Sequence, residues 1–109
     1  MVLLRGFDDD FERIYGEQLR NKIDSLLKSG EKYHHEIGYL YMDFIDNSVV
    51  FKHKPLYLRE PKYITETRSV QEAFVLIRNH VKKCYGSCFA SQEEVDGTIH
   101  GLDSFLKKE

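Results

Sequence analysis

The amino-acid order predicts an α+β fold, and three observations carry that prediction. A long amphipathic helical pattern opens the chain, one stretch alternates like a β-hairpin, and two further helical patterns close it. Runs of one element type followed by another point to segregated layers rather than an alternating parallel α/β fold. The expected order is a long N-terminal helix, an antiparallel hairpin or three- to four-strand meander, and two C-terminal helices. With 109 residues and no linker, repeat or low-complexity stretch, the expectation is one domain over 1–109.

The first helix is signalled by Asp8, Asp9, Asp10 and Glu12, acids suited to the positive end of a helix dipole, with Asp9 and Glu12 spaced as a capping box. Phe11, Ile14, Tyr15, Leu19, Ile23, Leu26 and Leu27 then recur every three or four residues, and Gly30 stands where a helix needs a left-handed stop. Arg13 with Glu17, Arg20 with Asp24, and Asp24 with Lys28 have ion-pair spacing on the other face. Glu31 to His35 reads as a polar connector.

The hairpin is expected within Glu36–Lys54. Alternation puts Ile37, Tyr39, Tyr41, Asp43 and Ile45 on one face and Leu40, Met42 and Phe44 on the drier one. Asp46-Asn47-Ser48 supplies turn chemistry, and Val49-Val50-Phe51 returns as a strand. Pro55 ends it. A third strand through Leu56-Tyr57-Leu58 and a fourth through Tyr63-Ile64-Thr65 complete the candidate meander. Ser69-Val70-Gln71-Glu72 is a second capping box. It opens a helix whose stripe runs Val70, Ala73, Phe74, Ile77, Val81, Cys84, with Gly86 as its stop. A third box, Ser91-Gln92-Glu93-Glu94, opens the last helix, where Val95, Ile99, Leu102 and Leu106 keep helical spacing beside Phe105. Gly97 and Gly101 in that helix imply either close packing or looseness.

The opening MVLLRGFDDD is too short in apolar residues for a secretory signal, and no apolar run approaches a membrane span. Two cysteines without such a signal fit a reducing cytoplasm. The formal charge is −2, but unevenly spread. Residues 1–46 hold six Lys/Arg against ten Asp/Glu, residues 47–86 eight against three, and residues 87–109 two against five. An acidic–basic–acidic chain either neutralises itself on folding or shows a polar partner one face.

Candidate chemistry is sparse. His80, Cys84 and Cys88, with His100, offer four soft ligands, but the H-x3-C-x3-C spacing is wider than structural zinc knuckles use. Cys84 lies on a buried stripe, where free cysteine acts as a small hydrophobe. No metal and no cofactor is expected. His34-His35-Glu36 has acid–base groups, and its plainer reading is a polar strand entrance. No catalytic signature is present, so the chain does not read as an enzyme. Lys52, His53, Lys54, Tyr57, Arg59 and Lys62 interleave cations with rings, as a single-stranded nucleic-acid platform would; the net acidity of the chain argues against it. Tyr39, Tyr41, Asp43 and Asp46, with Asp8, Asp10, Glu93 and Asp96, instead suit a basic protein partner, since tyrosine gives contact area at low entropy cost and carboxylates steer encounter.

The stretch GYLYMDFIDN and the DDDFE start, in a small, mildly acidic chain without catalytic motif, resemble the immunity proteins of bacterial toxin–immunity pairs. Those protecting against contact-dependent growth-inhibition toxins and nuclease bacteriocins are the nearest in type. The resemblance implies a stoichiometric inhibitor that covers the active site of a cognate basic toxin with carboxylates, or blocks it from beside the site. It carries no residue-by-residue correspondence, because such proteins share no single fold.

Overall fold

A computed structural model describes residues 6–54, 59–86 and 92–107. The architecture is α+β: one long N-terminal helix, a four-stranded antiparallel sheet, then two helices. The long helix is built from α1 (Phe7–Phe11), a π-helical turn (Glu12–Gly16) and α2 (Glu17–Ser29). Strands β1 (Tyr33–Ile37), β2 (Leu40–Ile45), β3 (Ser48–His53) and β4 (Lys62–Thr67) form a meander in the order β1-β2-β3-β4. Helices α3 (Val70–Gly86) and α4 (Gln92–Leu106) follow.

The expected hairpin is β2–β3, paired from Leu40↔His53 to Ile45↔Ser48. Its turn is two residues, Asp46 (φ 51°) and Asn47 (φ 64°). Two positive φ angles are the type I′ geometry that matches strand twist, and Asp and Asn tolerate it. Ser48, expected in the turn, begins β3. The strand expected to run unbroken from Ile37 is instead cut at Gly38-Tyr39, where Gly38 takes φ 61° and Ile37 pairs with Leu40. That turn puts Ile37 on the face of Leu40, Met42 and Phe44, all buried, rather than with Tyr41 and Asp43. It also makes a strand of the segment expected as a connector. Tyr63-Ile64-Thr65 does lie in a strand, β4, while Leu56-Tyr57-Leu58 falls outside the described residues.

The helices cover one face of the sheet. Phe11, Leu19 and Ile23 from the long helix, Phe74 and Ile77 from α3, and Leu102 and Phe105 from α4 share one core with Ile37, Met42, Val49 and Phe51. Phe105 stacks on Phe44 with ring centroids 6.2 Å apart. A Cβ on Gly101 would lie 2.6 Å from the Glu36 carbonyl oxygen and 2.8 Å from the Ile37 Cα, so α4 rests directly on the β1 backbone. Gly97 meets nothing, and the packing alternative holds for Gly101 alone. The buried residues of α4 are Thr98, Gly101, Leu102 and Phe105, with Ile99 and Leu106 packed partly against them.

Several local expectations fail for identifiable reasons. Ile14 is 54% exposed. The π-helical turn inserts extra arc per turn, so positions counted at 3.6 residues drift off the core face. Asp9 caps nothing: the N-cap is Gly6 in left-handed geometry, and Asp8, Asp9 and Asp10 occupy the first turn. Arg20 does not pair with Asp24. It lies 3.9 Å over the Phe74 ring and bonds Glu12 across the π turn and Gln71 at 3.1 Å. Arg13 reaches Asp10 rather than Glu17, and only Lys28–Asp24 keeps the expected spacing, at 2.9 Å. Ser69 does cap α3, its hydroxyl accepting from the Glu72 N–H at 3.2 Å. Gly30 ends α2 at φ 71°, joined by a cap the amino-acid order does not announce: Asn47 donates to the Leu27 carbonyl at 2.7 Å.

Candidate functional site

Among the described residues no helix lies on the outer face of the sheet, and cross-strand register decides what that face displays. One row runs Glu36, Tyr41, Lys52, Tyr63 and the next His34, Asp43, Val50, Glu66. Alternation within Tyr33–Ile37 turns Tyr33, His35 and Ile37 inward and leaves His34 and Glu36 outside.

His34 organises the centre. Its Nδ1 lies 2.5 Å from Asp43 and its Nε2 2.8 Å from Glu36. Tyr41 meets the imidazole edge-on at 5.4 Å, and Lys52 reaches the other Asp43 oxygen at 3.5 Å. The Glu36 hydrogen bond, then that of Asp43, raises the His34 pKa above 6.5 against an opposing effect of burial. These are half-exposed contacts, worth little to stability singly. Their effect is to hold two carboxylates and a tyrosine at set positions.

Glu36 also lines a shallow groove of about 400 Å³ shared with Tyr39 and the α4 residues Glu93, Glu94 and His100. A continuous acidic–aromatic surface therefore runs from Asp43 through Glu36 and Tyr39 to Glu93. It joins four of the residues expected to bind a partner: Tyr39, Tyr41, Asp43 and Glu93. The other four lie elsewhere. Asp46 sits in the β2–β3 turn, three residues beyond Asp43 and past the end of β2. Asp8 and Asp10 belong to the helical layer, where Asp8 pairs with Lys82 at 3.3 Å and Arg78 at 3.5 Å, and Asp10 with Arg13 at 3.4 Å. Asp96 accepts from Gln92 at 2.9 Å.

The basic segment is not gathered into one platform. Lys52 points outward and is bound to Asp43, whereas His53 and Lys62 pair across β3–β4 and line a cavity beside α3. The Lys54 N–H donates to the Tyr39 carbonyl at 2.9 Å. Arg59 is exposed in a bend before Pro61, and Tyr57 lies outside the described residues.

The soft-ligand residues are occupied in other ways. His80 Nε2 donates to the Ile37 carbonyl at 2.9 Å, and burial pushes its pKa down to about 4. Cys84 is buried, with its sulfur 3.4 Å from the Thr98 hydroxyl and its thiol pKa raised chiefly by burial. His100 is exposed on α4, and Cys88 lies outside the described residues. Among the described residues no cluster of three or more His, Cys, Asp or Glu is placed to hold a metal ion. His35 faces inward, its Nε2 donating to the Gly101 carbonyl at 2.7 Å and its Nδ1 3.4 Å from the Tyr33 hydroxyl.

Reading the hairpin alone misses His34 and Glu36 as partners of Asp43. The signal available was the alternation of Tyr33, His35 and Ile37 against His34 and Glu36, which reads as a strand once the connector is not assumed. Among the described residues, no helix is long and apolar enough to cross a membrane. No protein-family model, curated protein or solved structure matches the chain.

Proposed function

We propose that this chain is a protein-binding inhibitor of the immunity type, which neutralises a basic toxin, a nuclease, by one-to-one binding through the outer sheet face. The observation that carries this reading is the grouping of Glu36, Tyr41 and Asp43 on the sheet face that no described helix covers, continuous with Tyr39 and Glu93. Tyr41, Val50 and Tyr63 on the same face supply apolar contact between the charges. A rim of carboxylates around aromatic contact area matches how charge steers encounter while buried rings provide affinity. The protein acts by occupancy and not by turnover. Supporting that, both nitrogens of His34 are taken by carboxylates, and His35 and His80 each donate to a backbone carbonyl.

The test is capture from the native host on the tagged chain at low and moderate salt, followed by affinity measurement on the retained protein. One basic protein is expected at one-to-one stoichiometry, with its toxic activity abolished. Asp43→Lys and Glu36→Lys are each expected to weaken binding at least tenfold, since loss of a charge-paired interface contact costs about 2 kcal/mol or more. Parent affinity in both variants overturns the assignment of this face. Retention of salt-labile nucleic acid in place of a protein overturns the function itself.

A further inference from the structure

A second site lies on the other side of the sheet edge, where β3 ends and β4 begins beside α3. It is an open cavity of about 600 Å³, within the range of small-molecule sites. Leu40, Leu76 and Ile64 make its apolar part, and Lys62 and Lys83 both border it. Neither lysine has a carboxylate partner among the described residues, whereas Lys28, Lys52 and Lys82 are all paired. His53 and Glu94 also line it. Tyr63 and Ile64, at the mouth, are 60% and 43% exposed, so β4 presents uncovered apolar surface beside unpaired charge. His80 also faces the cavity, with Nε2 committed to the Ile37 carbonyl. Burial is the main cause that holds its imidazole neutral.

We propose that this cavity binds a small amphipathic organic anion, with its acid group between Lys62 and Lys83 and its apolar body over Leu40, Leu76 and Ile64. Two unpaired ammonium groups at the rim of an apolar cleft complement a ligand that carries a charged head and an apolar body. This is independent of the outer sheet face, whose residues do not line the cavity apart from Tyr63 at the shared edge.

The probe is 8-anilinonaphthalene-1-sulfonate, an aromatic sulfonate whose fluorescence rises on leaving water. Titration of the folded chain is expected to show one saturable site. Lys62→Gln and Lys83→Gln are each expected to weaken it about tenfold, the worth of one charge-assisted hydrogen bond. Lys28→Gln, which removes a paired lysine on α2, is expected to bind as the parent does. Near-ultraviolet circular dichroism on each variant separates lost binding from lost packing. Competition then sorts the ligand: displacement by decanoate indicates a fatty-acid-like anion, displacement by adenosine monophosphate a nucleotide-like one, and either supports the site. Parent-like binding by both lysine variants, no displacement by either anion, or equal displacement by neutral decanol overturns it.

Discussion

His80 gives the sharpest quantitative test of the packing. It sits on α3 with its Nε2 on the Ile37 carbonyl, and its pKa is depressed from 6.5 to about 4, chiefly by burial. The folded state thus holds a neutral imidazole that the unfolded chain would protonate below pH 6.5. Between pH 6.5 and 4 the unfolded state binds more protons, so stability rises with pH across that window and is lost as pH falls through it. At about 1.4 kcal/mol per pH unit, 2.5 units make this about 3 kcal/mol by pH 4. The opposite case is His34, whose raised pKa contributes stability that is present below 6.5 and lost as pH rises through the folded value. A bare pH profile would mix the two with the carboxylates. The perturbation is therefore His80→Gln, which keeps an amide donor for Ile37 but cannot titrate. Urea unfolding of both proteins from pH 4 to pH 7.5 is the assay. The parent is expected to lose about 3 kcal/mol relative to the variant on going from pH 7 to 4. Parallel pH profiles for the two proteins would refute the claim that a part-buried, neutral His80 belongs to the native packing.

Two further substitutions probe how the layers are joined. Gly101→Ala is expected to lower stability by about 2 kcal/mol, because the added methyl meets the β1 backbone at Glu36 and Ile37 rather than a movable side chain; urea midpoints read it, and an unchanged midpoint removes the close α4–β1 contact. Asn47 serves both as a positive-φ turn residue and as a cap on the Leu27 carbonyl. Asn47→Gly keeps the turn and loses the cap, at about 1 kcal/mol, while Asn47→Ala is expected to cost more because it also strains the turn; equal loss in the two variants would mean that the φ angle contributes nothing.

Local chemistry made much of this protein legible from its amino acids. Gly30 and Ser69 mark helix ends through backbone and hydroxyl chemistry that acts within a few residues, and both hold in the structure. The stripe on α3 and the alternation of Leu40, Met42 and Phe44 reflect periods of 3.6 and 2 that burial must respect; all of those residues are buried except Val70, which packs partly against the core at the start of α3. The α+β order follows from them. What tertiary structure alone decided are the features that depend on residues far apart in the chain. Arg20 left its expected partner for Glu12, Gln71 and Phe74 because a π-helical turn and the approach of α3 offered it three contacts. Gly101 became a packing residue because β1 lies under it, while the chemically identical Gly97 faces open space. The acidic–aromatic surface needed β1 to be a strand, since only its register brings His34 and Glu36 beside Asp43. Periodicity states which face a side chain takes within its own element; which elements meet at that face is set by long-range packing, and the two proposed sites are products of that packing.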